Sequence, residues 1–115
     1  MSGFGIFTPK SAGTILVVPT TSSGSVANLL TKPATATAVR IKNVDATNIA
    51  CFAFGTSTVT AALPTVSGAP STSPASMAIG PGESVIVGVA EGVTHVAAIS
   101  VAGTPNLYFT VGNAS

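Results

Sequence analysis

The sequence predicts an all-β chain, an antiparallel β-sandwich of jelly-roll type with about eight short strands and little or no helix. Three observations predict it. Runs of Val, Ile, Thr and Phe recur, with turn signals about ten residues apart. Almost no segment stays clear of Gly, Pro, Thr and Val long enough to build a helix. About half of the chain is Ala, Gly, Ser and Thr, while Leu, Ile, Val and Phe make up about a quarter. That apolar share is enough for a core and too high for a disordered chain. A closed barrel is the alternative arrangement of the same strands.

The elements follow in order. Thr14–Val18 is a β-branched run closed by Pro19. Ser25–Leu30 is a weaker strand, with a single helical turn as the alternative. Ala38–Val44 is the clearest amphipathic strand: Val39 and Ile41 point one way, Arg40 and Lys42 the other. Asp45, Ala46 and Thr47 turn the chain. Asn48–Phe54 returns as a strand with Ile49, Cys51 and Ala53 on one face and Phe52 and Phe54 on the other. Both faces are apolar, so this strand is central, or one face meets another subunit. Residues 61–75 carry three prolines, a glycine and several hydroxyls, which makes a long loop open to mobility or partner contact.

Met77–Ile79 is a short strand, and Gly80–Glu83 is a tight turn. Ser84–Val89 sets Val85, Val87 and Val89 against Ile86 and Gly88. Glu91 and Gly92 turn again. His95–Val101 and Asn106–Val111 are read as the last hairpin. An internal echo links this hairpin to the earlier one. Ile41 precedes Asn48-Ile49 by the same interval as Ile99 precedes Asn106-Leu107. The organisation is therefore an N-terminal arm over residues 1–13 and one sandwich domain over 14–115. A chain of 115 residues suits one domain.

Composition restricts chemistry. The chain has four Lys/Arg, three Asp/Glu, one His, one Tyr, one Cys and no Trp, with a net charge of +1. No basic footprint for nucleic acid exists, no apolar stretch is long enough to cross a bilayer as a helix, and a surface so poor in charge favours association. Residues 1–13 lack the basic start and apolar core of a secretion signal. His95 is the only base a Ser–His–Asp triad could use and Asp45 its only aspartate, with no G-x-S-x-G elbow. Its reading is a solvated strand residue, with a metal shared across a symmetry axis as the alternative. Asp45, Glu83 and Glu91 all fall in turns, where carboxylates cap the backbone; calcium held with loop carbonyls is the alternative. Cys51 reads as a small buried hydrophobe. No enzyme, cofactor or metal site is expected.

The candidate partner contacts are Phe4, Ile6, Phe7, Arg40 and Lys42. An exposed arm should not carry three large apolar residues, so Phe4, Ile6 and Phe7 pack back on the domain or insert into a neighbouring chain. Arg40 and Lys42 share one face, which is solvated, protects a sheet edge, or meets an acidic partner.

The stretches AVRIKNVDATNIACFAFGTS (38–57), IGPGESVIVGV (79–89) and THVAAISVAGTPNLYFTV (94–111) together resemble small virion proteins of tailed bacteriophages. In these a strand ending in an aromatic and "FG-T/S" precedes a loop, a "PGE" turn leads to an apolar strand, and a "THVAAIS…GT…LY" hairpin closes the chain. The resemblance covers roughly residues 38–112. It implies a non-enzymatic capsid decoration or cement protein on the outer capsid surface, made in the host cytoplasm. Its implied partners are the major capsid protein and its own copies, as a dimer or trimer. No site residues transfer with the resemblance, because the shared pattern marks strands and turns. A tail or head-fibre adaptor and a small carbohydrate-binding module are the alternatives. A sugar platform needs exposed aromatics, and only Tyr108 is available in the absence of Trp.

Overall fold

The computed structural model describes residues 7–21, 25–30, 37–63, 67–68 and 76–114. Eight strands occur in chain order: β1 (Phe7–Val17), β2 (Ser25–Asn28), β3 (Thr37–Asn43), β4 (Ala50–Gly55), β5 (Met77–Ile79), β6 (Ser84–Val89), β7 (His95–Ser100) and β8 (Leu107–Ala114). They form two four-stranded antiparallel sheets, ordered β1-β8-β3-β6 and β2-β7-β4-β5. No helix occurs among the described residues.

The pairing has a simple logic. β1 pairs with β8, β2 with β7, β3 with β6 and β4 with β5. The chain is thus one long antiparallel ribbon whose two arms run together from the termini to the β4–β5 loop. Bending that ribbon places alternate pairs in opposite sheets. The β3–β8 and β4–β7 ladders then complete each sheet. This is the jelly-roll arrangement, and it buries one face of each sheet against the other.

Two expected hairpins are corrected by this topology. β3 and β4 lie in different sheets, and so do β7 and β8. The segments between them are sheet crossings. They hydrogen-bond to one another: Val44 N–H donates to the Asn106 carbonyl at 3.1 Å, and Val101 N–H to the Ile49 carbonyl at 2.9 Å. The repeated interval in the sequence therefore marks two crossings packed together at one end of the sandwich. Period-two alternation tells which face a side chain takes but not which strand lies alongside.

Two close contacts fix this end. Gly103 adopts φ +65°, and a Cβ there would lie 2.5 Å from Asn48 Nδ2. The side chain of Asp45 accepts hydrogen bonds from Thr47 N–H at 3.0 Å and Asn48 N–H at 2.7 Å. These two backbone donors hold its carboxyl below the usual aspartate range.

The expected arm over residues 1–13 is also corrected. β1 starts at Phe7, which pairs with Ala114, so residues 7–13 belong to the sheet. Register jumps from Pro9↔Gly112 to Thr14↔Thr110. The residues from Lys10 to Gly13 thus stand opposite Val111 alone, a long bulge. β1 is an edge strand, where a proline without an N–H and an interrupted ladder are tolerated. Phe4 and Ile6 lie outside the described residues.

The core uses both inner faces. Val39, Ile41, Leu107, Phe109 and Val111 from the first sheet meet Ala50, Phe52, Ile79, Val96 and Ala98 from the second. Phe52 and Phe109 meet across the sheets edge-to-face with centroids 6.0 Å apart, and Phe54 joins both rings. Thr37, Asn43 and Ser100 are the buried polar residues among those described, and Asn43 is the largest of them. It is fully buried, and its Nδ2 donates to the Asn48 carbonyl at 2.9 Å and the Ile79 carbonyl at 3.3 Å. Its Oδ1 accepts from Asp45 N–H at 3.0 Å. One side chain thus ties β3, the first crossing and the end of β5.

Candidate docking surface

The two outer faces of the sandwich are treated differently by the chain. On the second sheet, Cys51, Ala97 and Ile99 point outward, yet all three are buried. Val59, Ala61 and Leu63, which follow β4, pack over them. Gly55 makes that return possible: a Cβ on it would sit 2.9 Å from Val59 Cβ. Ala62 N–H donates to Ser76 Oγ at 3.2 Å, closing the base of the long loop. So β4 is a central strand with apolar side chains on both faces, and its outer face is covered by this chain's own loop. Residues 61–63 of the expected loop 61–75 are therefore tied to the sheet. Residues 64–66 and 69–75 lie outside the described residues.

The first sheet has no such cover among the described residues. Its register sets Leu16, Tyr108, Lys42 and Ser84 in one row across the four strands. The next row is Thr14, Thr110, Arg40 and Ile86. Leu16, Ile86 and Tyr108 are 55%, 51% and 41% exposed. Each would normally gain from burial, about 1.5–3 kcal/mol for a fully covered aliphatic side chain. Thr14, Leu16 and Tyr108 line a shallow, open depression of about 370 Å³. The hydroxyls of Thr14 and Thr110 hydrogen-bond to each other at 2.8 Å.

Arg40 and Lys42 stand in the middle of this face. Arg40 Nε donates to Ser84 Oγ at 3.1 Å, and Lys42 Nζ donates to the Gly82 carbonyl at 3.3 Å. Both partners are neutral. The three Asp/Glu side chains lie in turns: Asp45 and Glu83 at the crossing end, Glu83 in the same Gly80–Glu83 turn whose Gly82 carbonyl Lys42 reaches, and Glu91 in the turn before β7. The sequence places the two cations together correctly. It does not single out Leu16, Ile86 and Tyr108 as their neighbours. For Ile86 the signal was present, since Val85, Val87 and Val89 claim the inner face and leave it outside. For Leu16 and Tyr108 the signal needs the β1–β8 register, which the sequence does not contain.

The expected contacts of the arm, Phe4, Ile6 and Phe7, are only partly visible. Phe7 heads β1, and its side chain is outside the described set. Val17, the last residue of β1, pairs with Leu107 beside the crossings. Phe7 therefore lies at the opposite end of the sandwich from Asp45 and Glu83.

The titratable residues do not converge. His95 opens β7, with Nδ1 2.7 Å from Thr94 Oγ1, whereas Asp45 sits beyond the other end of the strands. Among the described residues, no three His, Cys, Asp or Glu side chains gather as a metal site would require. Glu83 Oε1 accepts from Gly80 N–H at 2.7 Å and closes its own turn. Burial pushes the Cys51 thiol up, away from the thiolate that reactive cysteines need.

No protein-family model matches the chain, and no curated protein matches it.

Proposed function

We propose that this chain is a non-enzymatic structural protein of a tailed-phage virion, a decoration or cement protein that binds the outer capsid surface and stabilises capsomer junctions. The observation that carries the reading is the amphipathic outer face of the first sheet, left without cover by the described residues, in a chain with so few reactive groups. Such a surface serves contact with protein. The resemblance over residues 38–112 supplies the setting, and the jelly roll is compatible with it, although the fold alone fixes no function.

The mechanism is physical. A cement protein gains its effect by binding only the assembled shell, which stabilises that state by mass action. Each site needs about 1,000 Å² of buried surface for specificity. Repetition over a lattice raises the effective affinity well above that of one contact. Phe4, Ile6 and Phe7 are the proposed capsid contacts, since the chain enters the sandwich at the end remote from the crossings.

Deleting residues 2–6 tests this assignment and spares the ladder from Phe7 onward. In co-sedimentation with shells stripped of this chain, the shortened protein is expected to bind at least about tenfold more weakly, a loss of about 1.4 kcal/mol. Its far-ultraviolet circular dichroism should not change. Undiminished binding by the folded, shortened chain would place the capsid contact elsewhere.

A further inference from the structure

The end of the sandwich formed by the crossings carries a second amphipathic surface. Val44, Ile49 and Val101 are 39%, 41% and 51% exposed there. The turns beside them hold Asp45 and Glu83. Two backbone N–H groups keep Asp45 in its charged form. This surface is the counterpart of the outer face of the first sheet. One combines exposed aliphatics with two carboxylates; the other combines Leu16, Ile86 and Tyr108 with Arg40 and Lys42.

We propose that these two surfaces are one interface, in which the crossing end of one copy docks on the outer face of the first sheet of the next copy. The contact is head-to-tail, so each copy uses both surfaces. Charge complementarity selects this occupant. Two copies meeting face to face about a two-fold axis would bring Arg40 and Lys42 against the same cations, with no carboxylate on that face to separate them. End to end, the carboxylates would oppose each other in the same way. Only the face-to-end pairing joins opposite charges and covers both sets of exposed aliphatics. This interface assigns the outer face of the first sheet to a second copy, so within the decoration reading the capsid contact falls to the segment at the Phe7 end.

Two variants test it by sedimentation equilibrium. Arg40→Glu with Lys42→Glu reverses the face and leaves the end intact. Asp45→Asn with Glu83→Gln neutralises the end but keeps the side-chain oxygens that accept from Thr47, Asn48 and Gly80. The wild-type chain is expected to self-associate more weakly as salt rises. Each double variant should be monomeric at concentrations about tenfold above those that assemble the wild type, with circular dichroism unchanged. Mixed together, they should form a 1:1 heterodimer that grows no further, because exactly one good interface survives in the pair. A monomeric wild type would overturn the proposal. So would variants that still assemble, or a mixture that stays monomeric. These results do not depend on capsid binding, so they separate this interface from the decoration reading.

Discussion

Phe109→Ala is expected to lower the unfolding free energy by about 3–5 kcal/mol, the range for deleting a fully buried ring. Phe109 is completely buried in the middle of β8 and meets Phe52 and Phe54 from the opposite sheet. The rest of the core is mostly Val, Ala and Ile, which cannot reach across to fill the space. The loss would be a large part of the 5–15 kcal/mol typical of a domain. Its neighbour gives the control. Tyr108 points to the outer face, so Tyr108→Ser should change stability by no more than about 0.5 kcal/mol. Equilibrium urea unfolding of both variants checks the alternation of β8 at a single step. Similar losses for the two would mean that β8 is not placed as described.

Asn43→Leu is the second large effect, expected at about 2–4 kcal/mol. The volumes of the two side chains are close, so the cost is not a cavity. It is the loss of hydrogen bonds to the Asn48 and Ile79 carbonyls and from Asp45 N–H around a fully buried side chain, the bond to Ile79 buried and the other two partly so. Buried polar groups left without partners cost about 1–3 kcal/mol each, and part of this is relieved by local shifts. The backbone of Asn43 adds to the junction, because its N–H donates to the Glu83 carbonyl and its carbonyl accepts from Gly82 N–H. The variant should therefore loosen the Gly80–Glu83 turn and the first crossing together. Hydrogen exchange at Gly82 and Asp45 would report that directly. A loss below about 1 kcal/mol with unchanged exchange would show that Asn43 does not hold the crossing.

These two residues also show what the sequence makes legible. Phe109 and the alternation of Val39 and Ile41 with Arg40 and Lys42 are plain, because a half-buried strand writes its two faces at period two. The turn at Gly80–Glu83 is equally plain, since its glycines and proline have few other uses. Asn43 is hidden, although it follows Val39 and Ile41 on the inward positions. A polar residue at the end of an apolar run reads as the start of a turn, and only the fold brings Ile79 and Asn48 to it.

The partners of each strand are hidden for a different reason. In a jelly roll nearly every connection crosses between sheets, so neighbours in sequence are not neighbours in the ladder; β4 and β5 alone are both. The first half of β1 escapes detection because Pro9, Gly13 and the bulge erase its alternation. The outer face of the first sheet was half legible. Arg40 and Lys42 stand out within one strand, while Leu16 and Tyr108 join them only through pairing between β1, β8 and β3. The cover over Cys51 was legible only as an ambiguity, two apolar faces on one strand. Val59, Ala61 and Leu63 resolve it.

The decoration reading is tested most directly by counting. Quantitative mass spectrometry of purified particles from the source would scale peptides of this chain to those of the major capsid protein. A copy number within a few-fold of the capsid protein is expected, as a lattice-wide cement requires. A handful of copies per particle would move the protein to a tail or vertex, and its absence from particles would contradict the virion reading.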